Sequence, residues 1–326
     1  MVTYLYKIVI LLVSPSIFFL QTYAQNVDFS QTNSNFVYLN PAFAGMEDCP
    51  RLYTSYRIKE LTFDGGYMTY YVSADTYISS LDGDISISFI HDIQQDVLFS
   101  SSGMFAYAKE FQVHRFLHLK TSLGAGFSQQ RLLEKKQVFS SMLHPLYGEQ
   151  QAQNEAVGFE ENYFDSELGI LLYNDWFYSG ISVKHMNHFF SYKRNSHIPF
   201  VPQVSLHGGG HFSNSKGFQQ SNSIWFYPHA NVTISRISSY AIVSMIAKID
   251  KLQLGSGYRQ NLPISNESFV FFVGFVEKKY KFAYNCDVVI KPKLGNNFNS
   301  HEFSLTYQFG CIGKRKKHGA IKAPGF

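Results

Sequence analysis

Twelve histidines stand among the chain's 326 residues, and two pairs have spacings that invite chemistry: His185 with His188, and His207 with His211. Imidazole nitrogens hold zinc or copper when several converge on one ion. On a strand, residues i and i+4 share a face but stand ~13 Å apart at about 3.3 Å rise per residue, too far to share an ion. His185 and His188 could meet only through a turn. The histidines therefore read as polar residues of strand faces and loops, and no metal or cofactor is expected.

Nucleophilic catalysis would need a Ser, a His and an acid or amide brought together in space. Ser182 and His185 have opposite strand parity and are expected on different faces. The stretch "SGISV" is no Gly-x-Ser-x-Gly elbow. "HGGGH" (His207–His211) lies inside an alternating segment, without the Lys and helix of a phosphate loop. No catalytic residue and no enzymatic activity are expected. Gly208–Gly210, Gly124 with Gly126, and Gly255 with Gly257 read as places where another backbone or a bulky group comes close.

The elements carrying these residues are strands. The chain is 17% aromatic and only 16% charged, against about 25% charge in a typical soluble domain. In "SHEFSLTYQFG" (Ser300–Gly310), Phe303, Leu305, Tyr307 and Phe309 alternate with Glu302, Ser304, Thr306 and Gln308. Successive side chains of a strand point to opposite faces, so one face is apolar and the other wet. The same period of two recurs from "RLYTSYRIK" at Arg51 onward and yields fourteen candidate strands, among them "FLHLKTSLGAGF", "KLQLGSGYRQ" and "KYKFAYNCDVV".

Residues 1–24 have the layout of a secretory signal peptide: Lys7, an apolar run from Ile8 to Leu20, and a small-residue end at Ala24. Beyond it the longest apolar run, Phe269–Val276, falls far short of the roughly 20 residues of a membrane-spanning helix. An exported chain of this kind is either a soluble sandwich or a transmembrane β-barrel. Connection lengths separate the two. Numbering strands from Arg51, even-to-odd links are mostly short, around Leu81-Asp82, Val113-His114, Asn174-Asp175, Asp250 and Glu277-Lys278. Odd-to-even links are mostly longer: Asp92–Ser102, Arg131–Asn162, Met186–Val201, Gln260–Asn266 and Lys291–Asn299. An outer-membrane barrel has this parity, with short periplasmic turns and longer outer loops, and a Greek-key sandwich does not. The fold expected is an all-β outer-membrane barrel of about 14 antiparallel strands over residues 51–310, multi-pass, with both termini periplasmic. Cys49, Cys286 and Cys311 are an odd, sparse set rather than a disulfide framework, and no bridge between Cys286 and Cys311 is expected.

Residues 25–45, "QNVDFSQTNSNFVYLNPAFAG", resemble the opening of the PorP/SprF family of type IX secretion system membrane proteins of Bacteroidetes. The family's F-S-Q element falls on Phe29, Ser30 and Gln31. Its Y-L-N-P-A-aromatic-A-G element falls on Tyr38, Leu39, Asn40, Pro41, Ala42, Phe43, Ala44 and Gly45. "YMTYYVSAD", "LGAGF", "FYSGISVKHM", "SLHGGGHF" and "LGSGYR" follow in family order, and "SHEFSLTYQF" matches the family ending, with His301, Glu302, Leu305 and Tyr307 in place. "YRIKEL" and "AYNCD" depart from the family pattern. The resemblance implies a barrel shaped like long-chain fatty-acid transporters, without enzymatic activity. Its implied partners are type IX components (the periplasmic ring and associated lipoproteins) and a secreted cargo or adhesin, linked in some species to gliding. A porin or transporter for hydrophobic small molecules is the alternative of the same shape.

The turn former Asn40-Pro41 and the bend at Gly45 suggest that residues 25–50 fold into or under the barrel as a plug or docking element. Phe29, Phe36, Tyr38, Leu39 and Phe43 need an apolar place to pack. The tail 311–326, with Lys314, Arg315, Lys316 and Lys317, is expected in the periplasm as a solvated basic segment or a contact for acidic partners or lipid headgroups. That compartment excludes nucleic acid. Loop Arg131–Asn162, with Glu149, Glu155, Glu160 and Glu161, is the largest outer segment and a candidate contact for a secreted partner.

Overall fold

The computed structural model describes residues 29–30, 35–47, 49–59, 66–133, 143–144, 148–149, 158–189, 201–214, 224–236, 238–262, 267–290 and 299–310. The expected signal peptide, Gln31, Glu155, Cys311 and the basic tail lie outside them.

Fourteen strands form one closed antiparallel barrel. They are β1 (Arg51–Lys59), β2 (Tyr67–Ile78), β3 (Gly83–Gln94), β4 (Leu98–His114), β5 (Leu117–Leu132), β6 (Phe159–Tyr173) and β7 (Phe177–Lys184). Then follow β8 (Gln203–Gly210, continued by Phe212–Ser213), β9 (Ile224–Ser235), β10 (Ser239–Ile249), β11 (Leu252–Leu262), β12 (Glu267–Glu277), β13 (Tyr280–Val289) and β14 (Ser300–Gln308). Every strand pairs with its sequence neighbours, and β1 closes the ring against β14 from Arg51↔Gln308 to Lys59↔Ser300. Closure leaves no edge along the wall, so the backbone groups of the spanning region are paired within the protein.

Alternation sets the two surfaces. Ile87, Phe89, Phe105, Leu123, Phe127, Phe271, Phe282 and Phe303 are exposed on the outside, while Ser73, Ser86, Lys120, Gln253, Asn285 and Glu302 are buried inside. An exterior of this composition is built for hydrocarbon. The apolar run Phe269–Val276 is apolar on both sides. Phe269, Phe271, Val273 and Phe275 face out, and Val270 and Phe272 are buried within, as are Ile242 and Ile246 of β10.

One expectation is corrected. Asp92–Ser102 is no long loop: β3 runs to Gln94 and β4 starts at Leu98, leaving a three-residue turn, 95–97, with positive φ at Gln95 and Asp96. Its polar residues read as loop, but a wet interior accepts them in strands, and Thr69 Oγ1 donates to the buried Asp92 at 2.6 Å. Cys286 is a free thiol, in line with the absence of a Cys286–Cys311 bridge, while Cys49 is disulfide-bonded.

The assigned faces carry a depth-dependent penalty. Phe271→Arg, near the middle of an outward face, should destabilise the barrel by ~2–4 kcal/mol, and Leu262→Arg, at a strand end, by only ~0–1 kcal/mol. Reversible urea unfolding in lipid vesicles measures both.

Candidate functional site

The interior is occupied by the chain's own N-terminal segment. Asn35 accepts from the Tyr38 N–H at 3.2 Å and so caps the single helical turn α1 (Phe36–Leu39). Asn40 then caps a 3-10 turn, Pro41–Phe43, its Oδ1 accepting from the Ala42 N–H at 2.9 Å. Proline at the first position of that turn has no N–H to leave unsatisfied. Gly45 ends the unit at φ +63°, a conformation that glycine adopts without strain. An added Cβ there would lie 2.0 Å from Asp84 Oδ1.

Each of these turns is fastened to the barrel wall. Asn40 is fully buried. Its Nδ2 donates to the carbonyls of Ile170 (3.0 Å) and Ile181 (3.2 Å) and lies 3.3 Å from His207 Nε2. The Ser182 hydroxyl donates to Leu39 O at 2.6 Å. The Gly45 N–H donates to Asp75 Oδ2 at 2.7 Å, and that carboxylate also holds Arg51 at 3.0 and 3.1 Å. Lys120, fully buried, donates to Ala44 O and pairs with Asp84 at 2.5 Å. Glu47 reaches Lys281 at 3.0 Å. Apolar packing completes the fit: Phe36, Ala42, Phe43 and Met46 cluster with Leu171, Tyr173 and Tyr178 of β6 and β7.

Phe29 and Ser30 of the F-S-Q element make a second attachment. Phe29 packs with Tyr53 and Tyr71, and its ring meets Tyr38 edge-on at 4.7 Å. The Ser30 N–H donates to Glu302 Oε2 at 3.0 Å, and its hydroxyl donates to Asp287 Oδ2 at 2.6 Å. Arg57 lies beside the same group, 3.7 Å from Asp287 and 3.3 Å from Ser300 Oγ. Residues near the two ends of the chain thus meet inside the barrel.

Of the residues singled out from sequence, Phe29, Ser30, Tyr38, Leu39, Asn40, Pro41, Ala42, Gly45 and Glu302 are brought together in the interior. His301 is not. It faces the other way, 2.7 Å from the Tyr284 hydroxyl on the neighbouring strand. Gln31 and Lys314–Lys317 lie outside the described residues. Ser182 and His185 both turn inward, against the parity argument, because β7 ends at Lys184 and His185 sits at φ +55°. His185 pairs with Asp165 at 2.6 Å while the Ser182 hydroxyl is used on Leu39, so they form no nucleophile–base pair. Among the described residues no three His, Cys, Asp or Glu side chains could hold a metal ion.

Sequence reasoning missed Lys120, Asp84 and Gly169. A lysine in the middle of an inward face, as in "HLKTS", is the available signal for the first, since such a charge needs a partner. Gly169 is the wall position that admits the segment: a Cβ there would lie 2.0 Å from Asn40 Oδ1 and 3.1 Å from Ala42 N. The glycines expected to allow close approach do so within the wall, where a Cβ at Gly126 would lie 2.0 Å from Gly103 O. A Cβ at Gly124 would meet Glu167, and one at Gly209 would meet the Tyr178 ring and Pro228 O.

Comparison with known proteins gives one family. The chain matches the family described as type IX secretion system membrane protein PorP/SprF over residues 21–307. No curated protein matches. Among solved structures, the outer membrane protein Omp33 of Acinetobacter baumannii is 8% identical with a TM-score of 0.48, covering 81% of this chain and 100% of that one. The toluene transporter TodX of Pseudomonas putida is 9% identical with a TM-score of 0.45, covering 88% and 95%.

Two substitutions test the seat of the segment. Asn40→Ala removes both Nδ2 bonds to the wall and the cap on the Ala42 N–H and should loosen the segment by ~1–3 kcal/mol. Gly169→Val should expel it outright. In both variants chymotrypsin is expected to cut at Phe36, Tyr38 or Phe43 in assembled barrels that resist cleavage in the parent. Equal resistance in all three would contradict this seating.

Proposed function

The chain belongs to the PorP/SprF family of type IX secretion system membrane proteins, and on that premise we propose that it serves export or surface attachment of a cargo protein such as an adhesin. The barrel lies in the outer membrane with both termini in the periplasm. The segment that fills its interior acts as a plug, and the same segment positions the chain's N-terminal end for contact with periplasmic ring proteins and associated lipoproteins.

The observation that carries this reading is the bond from the Ser30 N–H to Glu302. It joins the opening motif to the closing motif of the family resemblance across the inside of the barrel. A pore built for free solute flow has no use for such a bond. A barrel whose interior must be kept shut, and whose N-terminal end must be held at one place, does. Glu302 is fully buried, and a buried carboxylate needs partners that persist.

Deleting the gene should abolish surface delivery of a protein carrying a type IX C-terminal signal while leaving uptake of hydrophobic solutes unchanged. Ser30→Pro, which has no N–H to give Glu302, should give a partial loss, with barrels assembled in normal amount. Normal surface delivery in the deletion strain, with impaired uptake of an aromatic hydrocarbon, would replace this reading by the transporter alternative.

A further inference from the structure

The short-turn end of the barrel is uneven. Pairing between β3 and β4 stops at Asp84↔Ala108, yet β4 continues through Lys109–His114, paired there with β5 alone. Closing a tilted sheet staggers neighbouring hairpins, but the overhang elsewhere is smaller. At β1–β2 pairing ends at Asp75, three residues before the end of β2 at Ile78. At β11–β12 it ends at Phe275, two before Glu277. At β3–β4 six residues run on.

The overhang has a defined open side. The Leu133 N–H donates to Val97 O at 2.9 Å, so as far as Gln112, where the register shifts, odd-numbered residues of β4 bond to β5 and even-numbered ones face the other way. Past Ala108 that other side has no strand among the described residues, and Gln112 turns its N–H and C=O into it. Two side-chain bonds fix the upper limit of the gap: Tyr107 Oη to Leu81 O at 3.1 Å and Lys109 Nζ to Asp82 Oδ2 at 2.6 Å. Around it stand exposed apolar groups, Leu81 of the β2–β3 turn with Phe111 and Val113 at alternate positions of β4. Arg115 follows at the hairpin tip, its guanidinium 5.4 Å from the Phe116 ring.

We infer that the open edge of β4 at Lys109–Val113 is a docking site for an extended strand of another polypeptide. The strand continues the sheet below the β2–β3 turn, sets apolar side chains against Leu81, Phe111 and Val113, and brings a carboxylate to Arg115. The backbone decides the kind of partner. A row of main-chain groups spaced at alternate residues is matched by another strand, and by neither a helix nor an acyl chain. The charge decides its sign, since Lys109 and Glu110 already have Asp82 and His118 as partners, and among the described residues Arg115 has the Phe116 ring alone. A second copy in the same membrane does not fit: copies related by an axis along the membrane normal cannot bring these edges together antiparallel. Placing the partner in the periplasm rests on the orientation proposed above; the docking edge itself does not.

Amide hydrogen exchange of the peptide containing Gln112 tests this in three preparations of the full chain: detergent micelles, liposomes of the cell's own lipids, and native outer-membrane vesicles. Exchange is expected to be fast in the first two and about 100-fold slower in the third, as for an amide newly held in a sheet. Arg115→Glu, with assembly verified by heat-modifiable migration, should restore fast exchange in native vesicles. Equal rates in liposomes and native vesicles would overturn the proposal, whether fast (nothing docks) or slow (lipid covers the edge). Protection unchanged by Arg115→Glu would overturn the acidic partner. Protection that survives removal of the other type IX genes would uphold the docking edge while overturning a type IX partner for it.

Discussion

Every feature of this molecule follows from one constraint: a backbone surrounded by hydrocarbon must satisfy its own hydrogen bonds. The ladder between β1 and β14 meets it by joining the first strand to the last. Once the ring is closed, outward positions are given over to Phe, Leu, Ile and Val, and inward positions must hold everything else. That division creates a second problem inside, where polar and charged side chains are enclosed by a wall they cannot leave.

The N-terminal segment answers that problem. Lys120 and Asp84 are buried beyond the reach of bulk water, and Ala44 O is the additional acceptor that Lys120 needs. Asp75 balances Arg51 and takes the Gly45 N–H as well. Buried ion pairs contribute little net stability, because desolvation offsets the attraction, but removing one member is costly. The consequence here is specificity: one short segment, with turns at Asn40 and Gly45, satisfies the wall in one orientation. Its apolar residues do the complementary work by packing against β6 and β7.

The wall also yields to the segment where it must. Gly169 leaves room for Asn40 and Ala42. The apolar inner surface made by Ile242, Ile246, Val270 and Phe272 gives β12 its unbroken run of apolar residues, which in a barrel with a uniformly wet interior would have alternated. At the short-turn end the constraint relaxes. There β4 overhangs its neighbour with no strand of the described residues beside it, which backbone outside the hydrocarbon tolerates because water can serve it.

The sequence by itself determined the strand count, the outward and inward faces and the family. All three depend on local periodicity and motif order, and a strand's side chains alternate whatever lies beyond them. It also pointed to Asn40, Pro41 and Gly45 as a turn unit, since their backbone preferences are intrinsic. It misread Asp92–Ser102, where polar residues of an enclosed wet face look like a loop, and it placed His185 on the wrong face because a single positive φ ends the alternation. Only the tertiary structure brought Ser30 to Glu302, Asn40 to the gap at Gly169, and Lys120 to Ala44. Those meetings join segments more than forty residues apart in the chain, and their geometry exists only after the ring has closed and fixed which inward positions oppose one another.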